Sequence, residues 1–218
     1  MDGSPHGHTT THHEGCGVRE RILAVAGALF AEKGYSATSV REIADGVGVT
    51  VPALYYHFGS KRGMLVALVE SHCETVTGSV AQALERTFDP GDAGDPVRSV
   101  RPGAAAALVA GLQAYVGTLS SLAGTSPLAL RDPSLYVDPE IRALIAAAER
   151  TLVAHLAKVL REGTASGELC ALDAEKTASL LLAAARGVHM SPGLRDGTGD
   201  AAALGRSLGE LMLDGLRP

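Results

Sequence analysis

Apolar residues recur at intervals of three and four along most of the chain, which is the spacing of one helix face. The first such pattern covers residues 18–33 and stops before Gly34, a residue type that commonly ends helices. Its apolar positions are Ile22, Val25, Ala26, Leu29 and Phe30. The sequence therefore predicts an amphipathic helix close to the N-terminus.

A second, shorter helix is predicted from its N-terminal cap. Ser39 and Glu42 have the spacing of a capping box, in which each side chain accepts a hydrogen bond from the other residue's backbone N–H. The apolar positions that follow are Val40, Ile43, Ala44 and Val47. Gly48 is expected to end this helix, because glycine adopts the left-handed conformation at little cost.

A third helix and a long fourth one follow directly. Thr50 is a suitable N-cap, and Pro52 stands in the first turn, where its missing N–H costs nothing. Gly59 is expected to end the third helix, and Ser60 to cap a helix that runs to about residue 88.

The segment "DPGDAGDP" at residues 89–96 is the first clear break, and four further helical patterns follow it. No segment shows the alternation of a strand bounded by turn residues. We therefore predict an all-α protein of about nine helices. The C-terminal patterns, rich in Ala and Leu, cover residues 103–123, 139–162, 173–190 and 201–216.

The second and third helices have the pattern of a helix-turn-helix motif. Ala44 must be small where the next helix crosses it, and Gly48 supplies the turn. Ile43, Val49 and Leu54 are expected to fill the space between the two helices. The helix over residues 50–58 would then be the one presented to a DNA major groove.

Composition fits a folded protein, and the charge fits DNA binding at one end. The chain has 218 residues, 46% of them hydrophobic, and its three cysteines suit a reducing cytoplasm. We expect no secretory signal and no membrane span, since no run of about 18 apolar residues occurs. The net charge is −5, yet residues 17–65 carry six basic and four acidic side chains, a net of +2.

The first sixteen residues, "MDGSPHGHTTTHHEGC", read as a disordered tail. Its histidines and Cys16 are ligand types for a soft metal, but their spacing matches no standard site. We expect neither a metal site nor a cofactor. The predicted domains are this tail, a DNA-binding domain at 17–65, and a larger helical domain at 66–218.

Tyr55, Tyr56 and Phe58 are three of the chain's eight Phe and Tyr residues, and they surround His57. Leu54 and Phe58 share a helix face and are expected in the core. The tyrosines are either ordinary core residues or DNA contacts. Lys61 at the next helix N-terminus favours contacts to phosphate.

Together these residues resemble the TetR family of transcriptional regulators. The resemblance covers roughly residues 18–66, under a quarter of the chain. It is carried by "FAEKGY" from Phe30, "TSVREIA" from Thr38, "GV" from Gly48, "LYYHF" from Leu54 and "SK" from Ser60.

The resemblance implies which side chains would meet DNA. The residues facing base edges would be Arg41, Val51, Pro52, Ala53, Tyr56 and His57. Those facing phosphates would be Ser39, Val40 through its backbone, Tyr55 and Lys61. Thr50, the cap of the recognition helix, is also predicted to bind DNA. Val51 and Ala53 stand where the family often has polar residues, so hydrogen-bonded readout falls mainly on Arg41, Tyr56 and His57.

The family also implies a cytoplasmic homodimer that binds a palindromic double-stranded DNA operator. Its larger domain would bind a small-molecule effector that releases the DNA. We expect a repressor, and an activator could carry the same motif. The helices at 173–190 and 201–216 would form the dimer interface through small residues, with packing inside one chain as the alternative. Those residues are Ala184, Ala185, Gly187, Gly205 and Gly209.

The effector site is weakly marked. Beyond Phe58 the aromatic residues are Phe88, Tyr115 and Tyr136, so a pocket would be mostly aliphatic and would suit a lipophilic ligand. The polar candidates for ligand contacts are Tyr115, His155 and His189. Arg186 is expected to pair with an acidic ligand or with a carboxylate across an interface.

Three other functions stay open at this point. An enzyme would need a nucleophile and base, a carboxylate cluster or a metal set, and the acids Asp132 and Asp138 in one loop are too common a feature to supply one. A binding protein without DNA activity would be indifferent to Arg41→Ala. A metal-responsive regulator would depend on residues 1–16.

Overall fold

The computed structural model describes residues 12–87, 103–123, 137–190, 194 and 199–216, with side chains from residue 17 onward. These residues form eight long α-helices and no strand, which confirms the all-α prediction. Phe88, Asp132, Tyr136 and the 89–96 break lie outside the described residues. The helices are α1 (His12–Lys33), α2 (Val40–Val47), α3 (Val51–Phe58), α4 (Lys61–Thr87), α5 (Ala104–Ser121), α6 (Pro139–Ala165), α7 (Ala174–His189) and α8 (Ala201–Asp214).

Helix α1 begins at His12 and so includes five residues of the predicted tail, while residues 1–11 lie outside the described part of the chain. The described residues form two compact units that divide within α4, between Val69 and Glu70.

The first unit is a small helical head. Helices α1, α2, α3 and the start of α4 bury apolar side chains in it, and Leu54 of α3 is fully buried. The prediction that Phe58 lies in the core is wrong, because this residue is only half-buried in the last turn of α3. The guanidinium of Arg19 covers its ring at 5.4 Å from the centroid. The largest fully buried side chains of the head are Ile22, Phe30, Ile43, Leu54 and Met64.

The second unit is built around α5. Helices α6, α7 and α8 all pack against it, and seven of its residues are buried, including Leu108, Leu112 and Tyr115. Its mean hydropathy is 1.3 over 18 residues, enough in length and composition for a membrane span. Gly, Gln, Thr and Ser interrupt its apolar residues, so the sequence of α5 contains no long uninterrupted apolar run. Its central position in the core explains the composition equally well.

Some of the small residues predicted at a dimer interface pack inside the chain, and others do not. A Cβ on Gly205 would lie 2.9 Å from Gln113 Cα, and one on Gly209 would lie 3.0 Å from Val109 Cα. These glycines therefore allow α8 to approach α5 within the same chain. Ala185 is fully buried, whereas a Cβ on Gly187 would meet nothing within 4 Å.

Candidate nucleic-acid interface

The N-terminus of α2 is held by the predicted capping box. The Ser39 Oγ accepts a hydrogen bond from the Glu42 N–H at 3.1 Å, and Glu42 Oε2 accepts one from the Ser39 N–H at 2.8 Å. Lys33 at the end of α1 donates to Glu42 Oε1 at 2.8 Å. One carboxylate therefore fixes the start of α2 and ties it to α1.

The capping box predicts a specific acid sensitivity. The hydrogen bond from Lys33, followed by those from Ser39, lowers the pKa of Glu42 from 4.5 to about 2. A depressed folded-state pKa gives stability that is complete above pH 4.5 and is lost as the pH falls towards 2. Glu42→Gln keeps an acceptor for Ser39 but loses the charge facing Lys33. The difference in melting temperature between wild type and variant should therefore shrink across this pH range, and a constant difference would contradict the assignment.

The turn between α2 and α3 confirms the predicted role of Gly48. This residue has φ 77° and ψ 36°, a left-handed conformation that favours glycine. Its N–H and that of Val49 donate to the carbonyl of Ala44 at 2.9 and 3.0 Å. Arg21 of α1 donates to the carbonyl of Val47 at 2.7 Å and so satisfies the end of α2. These hydrogen bonds hold the turn between the two helices of the motif.

Helix α3 begins at the predicted cap and presents its aromatic residues outward. The Thr50 Oγ1 accepts from the Ala53 N–H at 3.4 Å, and Pro52 stands in the first turn. Tyr55 is 46% exposed and Tyr56 is 87% exposed. Neither tyrosine is a core residue, so the core interpretation of this pair is wrong.

The other predicted contact residues are also accessible. The Arg41 side chain is 87% exposed, and its distance to Asp45 is a long 4.0 Å, so this ion pair does not hold the guanidinium. None of the eleven predicted DNA-binding residues is buried. The exposed ones are Ser39, Arg41, Thr50, Pro52, Tyr55 and Tyr56, and the half-buried ones are Val40, Val51, Ala53, His57 and Lys61.

Lys61 differs from the others, because its ammonium is engaged within the head. It donates to the carbonyls of Tyr35 and Thr38 at 2.8 and 2.9 Å. It also lies 4.3 Å from the centroid of the Tyr35 ring. The position of this lysine at the start of α4 is as predicted, but its observed partners are protein atoms.

Sequence reasoning missed Thr38, which is 1% exposed. Its hydroxyl lies 2.9 Å from the carbonyl oxygen of Gly34 and 3.2 Å from that of Leu29. Its position directly before the N-cap Ser39 was the only sequence signal for a structural role. The burial of Thr38 depends on the packing of α1, which this signal does not specify.

The three predicted ligand residues lie in the second unit. Tyr115 of α5 is 4% exposed. His189 of α7 has its Nδ1 3.3 Å from the Ser120 Oγ, and burial lowers the pKa of its imidazole. The Nδ1 of His155 is buried and has no hydrogen-bond partner in the described part of the chain. Tyr115 and His189 thus lie on two helices that pack together, and His155 lies on α6.

Arg186 of α7 pairs with Glu149 of α6 in the same chain, rather than with a ligand or an interface carboxylate. Burial opposes its charge, but the hydrogen bond to Glu149 and the nearby Tyr115 hydroxyl outweigh that effect, so the pKa of Arg186 is raised. This ion pair links α6 and α7.

A cavity of about 320 Å³ lies elsewhere in the second unit, and none of the predicted ligand residues lines it. Glu168 on its wall accepts hydrogen bonds from the N–H groups of Ala104 and Ala105 at 2.7 and 2.9 Å. The N-terminus of α5 is therefore occupied by the protein's own carboxylate. Within the described residues, no group of three or more His, Cys, Asp or Glu side chains is placed to hold a metal ion.

Comparison with known proteins identifies the head and its architecture. Residues 22–68 match the model of the family described as "Bacterial regulatory proteins, tetR family". The crystal structure of the TetR family transcriptional regulator PfmR from Thermus thermophilus superposes with a TM-score of 0.65 at 26% identity, covering 91% of this chain and 100% of PfmR. Residues 22–68 are therefore a TetR-family N-terminal domain, and the chain shares its fold with a TetR-family regulator.

Curated HTH-type transcriptional regulators match about a third of this chain. The transcriptional activator FasR of Mycolicibacterium smegmatis is 39% identical over 71 residues, which are 33% of this chain and 32% of FasR. The transcriptional repressor KstR2 of Mycobacterium tuberculosis H37Rv is 38% identical over 72 residues, 33% of this chain and 36% of KstR2. The chain therefore matches about a third of the length of these regulators, one an activator and the other a repressor.

The second unit also has the fold of TetR-family proteins. The regulator FadR from Bacillus subtilis, solved in complex with stearoyl-CoA, superposes with a TM-score of 0.71 over 91% of this chain and 99% of FadR. Its sequence is 22% identical, so this likeness concerns the fold.

Proposed function

We propose that the protein is a ligand-responsive transcriptional repressor that binds a palindromic DNA operator as a homodimer. The observation that carries the proposal is the exposed surface of α2 and α3, where Arg41 and Tyr56 project from two helices joined by a hydrogen-bonded turn. Such a pair of helices presents side chains of its second member to a major groove. The matches to a repressor and an activator support regulation as the general role.

The contacts divide by chemistry. Arg41 and Tyr56, with His57, would read hydrogen-bonding groups on base edges, and a bidentate Arg–guanine contact is the commonest specific one. Val51, Pro52 and Ala53 offer apolar surface to thymine methyl groups. The N-terminus of α2, with Ser39 and the backbone of Val40, would bind phosphate together with Tyr55 and the Thr50 cap.

The second unit would supply dimerisation and effector binding. Helices α7 and α8 pack together and leave large apolar side chains uncovered, with Leu180 63% and Leu211 77% exposed. Two such faces from two protomers would form a four-helix interface. Exposed apolar surface of this kind marks an interaction site in soluble proteins.

The proposed effector is a lipophilic small molecule bound within the second unit. The core there is aliphatic apart from Tyr115, and the unpartnered Nδ1 of His155 is a buried polar atom that a ligand could satisfy. His189 and Tyr115 would give further polar contacts. Effector and operator would then weaken each other's binding by the same factor.

The test is selection of random duplexes by the purified protein, followed by affinity measurements with an Arg41→Ala variant. A palindromic consensus should emerge, and Arg41→Ala should lose about 1–3 kcal/mol of discrimination at one base pair of each half-site. Arg150→Ala is the matched control, because it removes one exposed arginine from α6. Selection of no consensus would favour a binding protein without DNA activity.

A further inference from the structure

The buried face of α4 in the second unit carries one histidine among aliphatic residues. Val76, Val80 and Leu84 follow one another at intervals of four and are all buried, and residues so spaced lie on the same face of a helix. His72 precedes Val76 by the same interval and is 6% exposed. Its imidazole therefore occupies a position that aliphatic side chains occupy in the next three turns.

The ring of His72 differs from the buried hydroxyl of Thr38 in the head. That hydroxyl is within hydrogen-bond distance of the Gly34 and Leu29 carbonyls. The Nδ1 of His72 is buried and has no hydrogen-bond partner in the described part of the chain. Such an atom costs free energy that an aliphatic side chain would not cost, and few of them occur in native proteins. The Nδ1 is therefore available to a bound molecule.

Polar groups from three other helices lie near this turn of α4. Burial raises the pKa of the adjacent Cys73 thiol, and carboxylates that include Glu149 of α6 add to this effect. Glu149 pairs with Arg186 of α7, whose guanidinium is hydrogen-bonded to Tyr115 of α5. Four helices thus meet in this part of the second unit, and the charges of Glu149 and Arg186 already neutralise each other.

The imidazole of His72 is neutral at pH 7, because burial lowers its pKa. A neutral imidazole has one N–H donor and one acceptor nitrogen. A buried N–H without an acceptor is rarer than a buried acceptor without a donor, so the proton belongs on Nε2. The Nδ1 then presents a lone pair, which accepts a hydrogen bond and cannot donate one.

We propose that His72 is the hydrogen-bonding anchor of the effector site, and that the effector is an uncharged lipophilic molecule with a hydroxyl group that donates to the His72 Nδ1. This inference rests on the proposed binding of an effector by the second unit. The lipophilic part would lie against the aliphatic core, to which Val76 belongs.

Charged head groups fit this anchor poorly. The oxygens of a carboxylate only accept hydrogen bonds, as the Nδ1 does. An ammonium would be a buried charge that needs a counter-ion, and Glu149 is already paired with Arg186. A hydroxyl supplies the donor without a charge.

Isothermal titration of the full chain with three probes of one chain length tests the head group. The probes are decan-1-ol, its methyl ether and decanoate. Decan-1-ol should bind. The other two have no hydroxyl donor at neutral pH, so they should bind about tenfold more weakly.

Two variants test whether His72 provides the acceptor. In His72→Leu the preference for decan-1-ol should disappear, while the melting temperature should rise by about 2–4 °C because an unsatisfied buried atom is removed. In His72→Asn the preference should persist, since the amide oxygen of asparagine is an acceptor at the same number of bonds from the backbone as the Nδ1. Thr75→Ala is the control, because Thr75 is exposed on the same helix.

Four outcomes would overturn the inference: no binding of decan-1-ol by the wild type, equal binding of the three probes, a preference that survives in His72→Leu, or a fall in the melting temperature of that variant. The wild type gives an independent answer, because the ¹⁵N resonance of the His72 Nδ1 should shift when decan-1-ol is added, and an unchanged resonance would also contradict the proposal. These measurements need no DNA. Failure of the wild type to select any operator would therefore refute the regulatory role and leave the binding site standing.

Discussion

Glutamate in place of Leu211 should convert the proposed dimer to a monomer and weaken operator binding by about 10²–10⁴-fold. Leu211 is 77% exposed on α8, and a lone leucine so exposed contributes nothing to the fold of one chain. In a two-fold interface each substitution acts twice, since the same patch is used by both protomers. Two carboxylates would then be buried facing apolar surface, which is costly without a partner.

Operator binding should weaken because only a dimer joins two heads. A dimer places its second head near the second half-site at high effective concentration, and this advantage disappears in a monomer. The heads themselves should be intact, because Leu211 belongs to the second unit and the head folds around its own core. Binding to an unrelated duplex should therefore fall much less than binding to the operator.

Sedimentation and duplex titration together check this expectation. Leu180→Glu on α7 should act like Leu211→Glu, because its side chain is 63% exposed. Val137→Glu is the matched control, since Val137 is a 72% exposed apolar residue just before α6. A Leu211→Glu protein that remains a dimer would show that the interface lies elsewhere.

Local signals in the sequence were sufficient to predict the ends of α2 and the start of α3. The capping box of Ser39 and Glu42, the left-handed Gly48 and the Thr50 cap all depend on residues within four positions of one another. The backbone of each element therefore follows from its own residues, and the structure has them as predicted.

Packing partners distant in the chain were not predictable in this way. Small residues at Gly205 and Gly209 correctly indicate a close helix approach, but periodicity does not specify the partner, and the partner is α5. Arg186 has the same property: its charge requires a counter-ion, and nothing in α7 identifies Glu149 of α6. The partners of Lys61 are carbonyl groups, which every residue carries and no sequence pattern marks.

The close approach of Gly63 in α4 to the end of α3 is a second feature that the sequence does not indicate. A Cβ on Gly63 would lie 2.0 Å from the carbonyl oxygen of Phe58, the last residue of α3. That oxygen already accepts from the Ser60 N–H at 2.8 Å, and the Ser60 Oγ accepts from the Gly63 N–H at 2.9 Å. The two helix ends are therefore in contact through backbone atoms, which cannot rotate away as a side chain can.

Gly63→Ala should consequently lower the free energy of unfolding by about 2–3 kcal/mol and abolish selective operator binding. Relief of the overlap must move either the first turn of α4 or the last turn of α3, and the latter carries His57 beside the exposed Tyr56.

Gly78→Ala in the same helix is the matched control. Its Cβ would meet nothing within 4 Å, so it should raise stability by about 0.5–1 kcal/mol and leave binding intact. Denaturant unfolding and operator titration of both variants would measure this. If the two alanine variants had equal stability and equal operator affinity, the contact between the ends of α3 and α4 would be looser in solution. The position of α3 would then have to be fixed by other contacts.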